Sequence, residues 1–374
     1  MLKGERLDRP TYSFLHTIED GNTAICHLTR HEIFGCPVVQ KTVSMLGLQD
    51  AAAANEPELL KRIRHPRVVE VWEAQWDPAP EWKSLNAVTF TTPYYEGESI
   101  YRALMDGHVF GVGDTMRIGA QVLDALDHMH ASHGLLHRDV KPANILLDAA
   151  RKNAFLGDLG SAAYIQTATG GADAHAGSAL YLAPEARPEG LVTVRSDLYS
   201  LGVTLVEMLH GRFPYEDLDP NEIDGRLDQG KRALRDRLLV LAPWIPKPYA
   251  TFLRSLSNQD PAKRPESAAA ALRTLNDLKV VDWNRSEGEG LTGTWIGTWP
   301  PERERGQRRT HEITIEKIAR GRNAGSLKAT ARWHDPDRRW RNYAKLTKTF
   351  DADPAEVGRY FRRVDSEAQS APAK

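Results

Sequence analysis

The chain has 374 residues, of which 41% are hydrophobic and 26% charged, an ordinary globular composition that allows two or three domains with sizeable cores. The formal net charge is −1, so the overall balance favours neither nucleic acid nor an acidic membrane surface as a partner. The charge is unevenly distributed, because residues 286–374 hold 18 Lys and Arg against 13 Asp and Glu. A basic segment therefore follows an acidic body.

The N-terminus and the cysteines indicate the compartment. The first thirty residues lack the basic start and apolar core of a signal peptide, and no apolar run approaches the roughly 20 residues needed to cross a bilayer. Cys26 and Cys36 have no neighbouring cluster of Cys or His of the kind that binds structural zinc. We therefore expect a reduced, cytoplasmic protein with no membrane partner.

Residues 10–95 combine short apolar stretches, separated by polar turns, with one helix-like piece. Leu59, Leu60 and Ile63 are spaced for one helical face, and Pro66 ends that helix. This pattern predicts a small mixed α/β lobe.

The pattern changes three times after the first lobe. From the cap candidate Asp114 onward, apolar residues recur at helical spacing, which predicts a larger, mainly helical lobe over residues 96–282. The polar, glycine-rich residues 283–290 predict a linker. Period-two alternation then predicts a small β-domain over residues 291–364, with a docking or regulatory role, and residues 365–374 are expected to be a disordered tail.

The most specific pattern is H-R-D-V-K-P-A-N at residues 137–144, which fits the catalytic-loop pattern H-R-D-x-K-P-x-N of Ser/Thr protein kinases. Further motifs follow in that family's order: D-L-G at 158–160, G-S-A-L-Y-L-A-P-E at 177–185, S-D-L-Y-S-L-G at 196–202 and D-P-A-K-R-P at 260–265. Over about residues 10–280 the chain resembles the eukaryotic-like Ser/Thr protein kinases of bacteria. The resemblance implies an α+β, bilobal kinase fold, with a small β-rich lobe and a larger α-helical lobe, and a small all-β domain is expected after it.

The resemblance also assigns chemistry to the catalytic loop. Phosphoryl transfer passes through a loose transition state, so catalysis is mostly positioning and neutralisation of charge. Asp139 would accept the proton of the acceptor hydroxyl, and Lys141 would steady the transferring phosphate. Asn144 and Asp158 offer hard oxygen ligands to Mg²⁺, or to Mn²⁺ in its place. ATP is the expected phosphate donor.

The small lobe is expected to hold the nucleotide. The sequence V-V-Q-K at residues 38–41 matches the family's V-A-I-K strand, which makes Lys41 the expected ligand of the ATP α- and β-phosphates. The family's partner Glu falls on Glu56, and Glu58 on the same short helix is the alternative.

Residues 90–98 resemble the hinge that joins the two lobes. In the alignment with the family, Thr92 takes the gatekeeper position beside the adenine pocket. Tyr95 is the expected backbone donor to adenine, because Pro93 has no amide hydrogen.

The loop that would cover the phosphates departs from the family pattern. Residues 18–26 align with I-G-x-G-x-x-G-x-V, and of the three glycines only Gly21 remains. Glycines let backbone amides approach phosphate closely, whereas the carboxylate of Glu19 adds negative charge beside an anion. A plain hairpin at residues 20–22 would also explain this stretch.

Residues 160–177 resemble an activation segment and contain no Lys or Arg. Phosphate on Thr167 or Thr169 could pair with Arg138 and order the segment, and a loop that simply flexes is the alternative. Ser178 stands where the family has a Thr that braces the catalytic Asp.

Three more residues are expected to support the large lobe. In the family, the Glu of the A-P-E motif, here Glu185, pairs with a late Arg, here Arg264. Asp197 lies at the start of the expected central buried helix.

The basic C-terminal segment allows two interpretations. Several arginines lie near Trp333 and Trp340 and could contact nucleic acid: Arg303, Arg305, Arg308, Arg309, Arg338, Arg339 and Arg341. Acidic residues interleave with them, which favours a solvated, charged loop between strands. We therefore expect a protein partner or protein substrate for this domain, and no nucleic acid.

Taken together, the motifs predict a Ser/Thr protein kinase that transfers the γ-phosphoryl group of Mg-ATP to a protein hydroxyl and phosphorylates its own activation segment. A pseudokinase that binds nucleotide or acts as a scaffold is the alternative. Glu19 favours the pseudokinase, whereas the complete set of strand Lys, catalytic Asp and metal ligands favours the enzyme. A small-molecule phosphotransferase is a third hypothesis, and the A-P-E segment argues against it.

The substitution Glu19→Gly tests the alignment of the phosphate loop. Removing the carboxylate takes away a negative charge beside the phosphates, so the variant should bind ATP more tightly than the parent chain. Isothermal titration of both proteins with Mg-ATP measures the difference. An unchanged or weaker dissociation constant would count against this alignment.

Overall fold

The computed structural model describes residues 10–20, 24–44, 56–77, 87–174, 178–299, 308–336 and 338–370. Gly21 lies outside the described residues, and of Glu19 only the backbone is described, as part of the first strand. Within the described chain, no helix is both long enough and apolar enough to span a bilayer.

The small lobe is one antiparallel sheet with a short helix packed on it. Its elements are β1 (Tyr12–Asp20), β2 (Ala24–His31), β3 (Cys36–Val43), α1 (Glu56–Arg62), β4 (Glu73–Trp76) and β5 (Val88–Pro93). The strands lie in the order β1-β2-β3-β5-β4, so β3 is central. Leu59, Leu60 and Ile63 are buried in one core with Val43 of β3, in agreement with their helical spacing.

The large lobe is mainly helical. Its helices are α2 (Ile100–Met105), α3 (Val112–Asp127), α4 (Ala186–Glu189), α5 (Val194–His210), α6 (Pro220–Asp228), α7 (Lys247–Leu256) and α8 (Ala268–Asp277). Its short strands are β6 (Leu135–Leu136), β7 (Ile145–Leu147), β8 (Ala154–Leu156), β9 (Ala163–Tyr164), β10 (Ala172–Asp173) and β11 (Leu191–Val192). They pair as β6 with β9, β7 with β8 and β10 with β11.

Helix α5 forms the centre of the large lobe. Thr193 and Ser196 form a capping box that satisfies backbone amides at its start. Every residue from 196 to 208 is buried, so the helix is enclosed on all sides. Polar side chains on α5 therefore face other protein groups rather than water.

The predicted α+β bilobal fold and the additional β-domain are confirmed. The strands of the domain are β12 (Asp282–Glu287), β13 (Gly293–Trp299), β14 (Arg309–Lys317), β15 (Leu327–His334), β16 (Arg341–Asn342) and β17 (Lys348–Phe350). They form one antiparallel sheet in which β17 also pairs with β15. A helix that the alternating pattern did not predict, α9 (Pro354–Ser370), packs on this sheet.

The predicted linker at residues 283–290 is wrong for most of its length, because β12 occupies residues 282–287. Trp283 explains the difference: its side chain is 1% exposed and forms part of the core of the β-domain. The glycines belong to the turn that follows, where Gly288 and Gly290 adopt positive φ values of 105° and 54°. The glycine-rich composition marked a hairpin turn and not a flexible connection.

The predicted disordered tail is wrong for residues 365–370, which are the last turns of α9. The helix buries one face, formed by residues spaced three and four apart, because those side chains pack on the sheet. These residues are Val357, Tyr360, Phe361, Val364 and Ala368. Apart from Asp365, the polar side chains between them are exposed and conceal the pattern, and residues 371–374 lie outside the described residues.

The β-domain packs directly on the large lobe at the start of α3. Asp282 Oδ1 accepts a hydrogen bond from the Gly113 amide at 2.7 Å, which satisfies one of the free amides of a helix N-terminus. A Cβ at Gly113 would lie 2.2 Å from Asp282 Oδ2, so only glycine fits without a shift. Arg285 lies 5.1 Å from the ring centroids of both Trp244, in the large lobe, and Trp295, in the sheet.

Asp365 makes the stability of the β-domain depend on pH. Burial raises the pKa of this carboxyl to about 7, and Trp283 Nε1 donates to its Oδ1 at 2.7 Å. A raised folded-state pKa means that the contribution to stability is full below about pH 4 and is lost as the pH rises through about 7. Asp365→Asn keeps an acceptor without charge, so it should raise the melting temperature at pH 8 and change it little at pH 4. Scanning calorimetry at both pH values measures this, and equal shifts would contradict the prediction.

Candidate active site between the lobes

Lys41 lies on β3, and its ammonium is held between two carboxylates. Lys41 Nζ lies 2.9 Å from Glu56 Oε2 and 2.9 Å from Asp158 Oδ1. Glu56 projects from α1 and is 3% exposed, and its Oε1 also accepts the Leu159 amide at 3.2 Å. Glu58 is exposed, so of the two candidates the structure places Glu56 against Lys41.

The charges in this trio stabilise one another. Burial alone would disfavour the ammonium, but the two carboxylates outweigh burial and raise the pKa of Lys41 above its usual value. The ammonium in turn outweighs burial at Asp158 and lowers the pKa of that carboxyl. At Glu56 burial dominates and raises the pKa. Lys41 and Asp158 are therefore both charged at neutral pH, and Asp158 remains 41% exposed to the cleft.

Asp197, buried at the start of α5, fixes the backbone of the catalytic loop. Its Oδ2 accepts the His137 amide at 2.9 Å, and its Oδ1 accepts the Arg138 amide at 2.8 Å. His130 Nε2 lies 2.8 Å from Oδ2, and these partners outweigh burial and lower the pKa of Asp197. Arg138 has a φ of +65°, which costs a non-glycine residue roughly 1–2 kcal/mol. The bonds to Asp197 hold the chain in this unfavourable conformation.

The side chains that were predicted to be catalytic converge on Asp139. Lys141 Nζ lies 2.7 Å from Asp139 Oδ2 and 2.7 Å from Ser178 Oγ. Asn144 Nδ2 donates to Asp139 Oδ2 at 3.1 Å and to its backbone oxygen at 2.8 Å. The Ser178 amide donates to Asp139 Oδ1 at 3.2 Å. Both carboxylate oxygens of Asp139 thus face cleft groups that donate hydrogen bonds.

The donor atoms left in the cleft fit a hard cation. Asn144 uses its amide nitrogen on Asp139, which leaves its side-chain oxygen for an ion, and Asp158 supplies a partly exposed carboxylate. The described residues contain no group of three or more His, Cys, Asp and Glu able to hold a metal by themselves. Magnesium commonly takes one or two protein oxygens and completes its shell with phosphate and water. This pair of residues suits that mode of binding.

The predicted hinge residues lie behind the cleft. Thr92 is on β5, is 8% exposed, and pairs with Val39 of β3 in the sheet register. Tyr95 is half-buried, with its ring centroid 4.4 Å from that of Phe155 on β8. Its backbone oxygen accepts the Glu98 amide at 2.9 Å, which closes the turn after the hinge. The adenine contacts of both residues stay predictions.

The activation segment is attached to the catalytic loop by Arg138. The guanidinium donates to the backbone oxygen of Asp173 at 2.8 Å and to that of Ser161. Thr167 and Thr169 are both exposed, in a turn closed by backbone hydrogen bonds between residues 166 and 171. Arg138 therefore already joins the two ends of the segment, and its pairing with a phosphothreonine stays a prediction.

Glu185 and Arg264 form a buried, two-pronged ion pair. Arg264 Nη1 and Nη2 lie 2.7 and 2.8 Å from the two carboxylate oxygens of Glu185. Ser196 Oγ donates to the same carboxylate at 2.8 Å, and the guanidinium lies 4.8 Å from the centroid of the Tyr199 ring. Two parallel hydrogen bonds between a guanidinium and a carboxylate are stronger and more directional than a single charged hydrogen bond. It ties the end of the activation segment to the start of α5.

Sequence reasoning missed two buried polar groups of the large lobe. His130 contacts Asp197, and Glu207 of α5 accepts a hydrogen bond from Tyr181 at 2.5 Å. Glu207 carried a usable signal, because it is a lone acidic residue within the apolar run of residues 205–209. A carboxylate enclosed in this way requires hydrogen-bond donors from elsewhere in the fold.

Two arginines of the β-domain lie against aromatic rings and carboxylates of the same domain. Arg309 lies 4.1 Å from the centroid of Trp333 and 3.0 Å from Asp335, and Arg332 lies 4.5 Å from the centroid of Trp340. These cations cover ring faces on which a base would otherwise stack. The expectation that nucleic acid is not the partner stays a prediction.

Comparison with known proteins decides the family. The model for the protein kinase domain matches residues 12–275, which is more than half of the chain and includes both lobes described above. The chain belongs to the protein kinase domain family. The β-domain lies outside the matched residues.

Similar curated kinases come from animals and bacteria. Over the aligned parts, the chain is 28% identical to the striated muscle preferentially expressed protein kinase of Danio rerio, with 68% of this chain and 8% of that protein covered. It is 27% identical to the serine/threonine-protein kinase Nek2 of Homo sapiens, covering 59% and 51%. It is 26% identical to the serine/threonine-protein kinase PrkC of Bacillus subtilis, covering 78% and 45%. The match thus spans about half or less of each of these relatives.

The contact between Lys41 and Glu56 in this kinase domain can be tested by substitution. Glu56→Gln removes the buried negative charge that orients the ammonium, so phosphate transfer from ATP should fall about tenfold or more in kcat/KM, roughly 1.4 kcal/mol. Steady-state kinetics measure the change. Glu58→Gln is the matched control on the same helix and should leave kcat/KM unchanged. Equal losses in both variants would contradict the assignment of Glu56.

Proposed function

We propose that the protein is a Ser/Thr protein kinase that transfers the γ-phosphoryl group of Mg-ATP to a protein hydroxyl. The observation that carries the proposal is the intact cluster in which Lys141 and Asn144 each lie within hydrogen-bond distance of Asp139. The same cleft also holds Lys41 and Asp158. The members of the cluster come from a loop whose backbone conformation is strained and specifically braced. Membership of the kinase family supports the reaction class.

In the proposed reaction, the acceptor hydroxyl lies against Asp139 and gives its proton to a carboxylate oxygen. A bond forms between the oxygen of the acceptor hydroxyl and the γ-phosphorus, while the bond from phosphorus to the β,γ-bridging oxygen breaks and leaves ADP. Lys141 donates toward the equatorial oxygens of the transferring group and neutralises their charge. Its present contacts with Asp139 and Ser178 already hold the ammonium at the acceptor side of the cleft.

The nucleotide side of the proposal uses Lys41 and the metal-binding pair. Lys41 would contact the α- and β-phosphates, because the carboxylates beside it keep it charged and fixed. Asn144 and Asp158 would hold Mg²⁺, whose chemistry when bound is to neutralise phosphate charge. Thr92 and Tyr95 would line the adenine pocket, and Gly21 would contact the phosphates.

Specificity for Ser and Thr is part of the proposal and rests on the names of several relatives, all of them distant. Autophosphorylation at Thr167 or Thr169 is supported by the exposure of both side chains. A docking role for the β-domain, with a protein partner, is supported by its position beside the large lobe. The cleft does not support the pseudokinase alternative, since its basic, acidic and metal-binding groups are all retained.

Incorporation of labelled phosphate from Mg-ATP tests the proposal. The purified full chain should label itself or an added protein, and Asp139→Asn should reduce the rate by about 100-fold or more, because no carboxylate then accepts the hydroxyl proton. Equal labelling by both proteins would sink the assignment as a kinase. Phosphate mapped mainly to tyrosine would sink the Ser/Thr specificity.

A further inference from the structure

Three histidines lie together where the small lobe meets the end of α3, and we call them the histidine cluster (His65, His128 and His133). The Nε2 atoms of His128 and His133 are 3.2 Å apart. The ring of His65, which follows α1, stacks on that of His128, with the centroids 4.9 Å apart and the planes 22° from parallel. The cluster lies outside the set of residues assigned above to the cleft.

A π-helical turn brings two of these side chains together. The turn covers His128–Ser132, directly after α3, and His133 follows it. In an α-helix, residues five apart point about 140° away from each other. A π-helical turn is wider, because it bonds residue i to residue i+5, so these two positions come to lie on one side. Such turns are rare, and they occur frequently at functional sites.

The spacing of the two nitrogens fits a shared metal ion. Zinc binds imidazole nitrogen at about 2.0–2.1 Å, so two such ligands of a tetrahedral ion lie roughly 3.3 Å apart. The rings of His128 and His133 meet edge to face, at 72°, with the two Nε2 atoms adjacent. His65 does not converge with them, because its Nε2 lies 3.4 Å from Asp124 Oδ2. A hydrogen bond between the two imidazoles has a similar length, and titration with metal distinguishes the two cases.

The surroundings of the pair are open to solvent and carry charge of both signs. His128 and His133 are half-buried, so an ion can reach both rings from the surface. Asp124 lies one helical turn before His128, and its side chain is 52% exposed. Its carboxylate supplies negative charge beside the pair, whereas the positive charge of Arg62 acts on His133 in the opposite sense.

We propose that His128 and His133 bind a divalent transition-metal ion of the zinc class, with water completing its shell. Imidazole suits zinc, nickel and copper, whereas Mg²⁺ prefers oxygen, so this site differs in chemistry from the Mg²⁺ pair proposed in the cleft. Since the described residues contain no group of three or more ligating side chains, two protein ligands are expected. Half the ligands of a structural zinc site correspond to a Kd of roughly 1–200 μM. The inference does not depend on the proposed kinase function.

A bound ion would connect the two ends of the turn that precedes the catalytic loop. β6 begins two residues after His133 and pairs with β9 of the activation segment. The Gly134 backbone oxygen accepts the Ile165 amide at 2.7 Å. The ion would therefore stabilise the segment that joins α3 to the catalytic loop, together with its contact to the activation segment.

Calorimetric titration of the purified full chain with Zn²⁺ tests the site. With excess Mg²⁺ present to occupy oxygen ligands, the parent should bind Zn²⁺, and His128→Gln and His133→Gln should each weaken binding by about 30-fold or more. The double variant should lose no more than either single variant, because one imidazole alone does not form the site. His108→Gln is the matched control, a half-buried histidine of the same lobe that contacts Phe110, and it should bind like the parent.

Hydrogen exchange of the parent chain locates the ion without any variant. Zn²⁺, added in the same Mg²⁺ buffer, should slow the exchange of amides in residues 128–135, while exchange in the strands of the β-domain stays the same. A parent that does not bind Zn²⁺, or protection that falls only on other segments, would overturn the inference. So would unchanged binding in both single variants, or an equal loss in His108→Gln, since the 3.2 Å contact would then be a hydrogen bond alone.

Discussion

The carboxylate of Asp197, buried at the start of α5, receives the two backbone amides that fix the catalytic loop. Without these hydrogen bonds, the energetic cost of the left-handed conformation of Arg138 would not be offset, and the side chain of Asp139 would no longer be held in one orientation. The buried charge is stabilised by hydrogen bonds from two backbone amides and by the imidazole of His130. The acceptor side of the cleft thus depends on a charge that never contacts a substrate.

The nucleotide side depends on a second electrostatic arrangement, built across the lobes. Lys41 belongs to the small lobe and Asp158 to the large one, and the ammonium bridges them while Glu56 holds it from α1. The Leu159 amide adds a direct bond from the large lobe to Glu56. The two lobes therefore meet at a charged contact. A triphosphate bound in the cleft would have to fit the positions of these charges.

Local motifs were predictable from the sequence, whereas contacts between distant segments were not. The residues of the catalytic loop stand at fixed short spacings, so their type and order sufficed to place Asp139 and Asn144 together. The choice between Glu56 and Glu58 needed the burial of α1, because both occupy plausible positions in the alignment. Glu207 accepts hydrogen bonds from the hydroxyls of Tyr181 and Tyr215, which belong to two other segments, and no spacing within the sequence encodes these contacts.

The errors at the C-terminus have a common physical cause. Polar and small residues dominate both the predicted linker and the predicted tail, and composition alone favours disorder for them. A few apolar side chains, such as Trp283 and Ala368, decide otherwise, because each is buried against a sheet that the local sequence does not reveal. Tertiary burial outweighs local composition here.

The cap that Asp282 provides for α3 joins two regions that are far apart in the sequence. The kinase match ends at residue 275, yet the helix that follows the hinge region takes an acceptor for its first turn from a strand that begins after that point. Opening of the sheet would leave the Gly113 amide without this acceptor and uncover Trp244 at the same time. Direct contacts therefore cross the boundary of the family match, and the interactions that hold the appended sheet in place also contribute to the order of the first turn of α3.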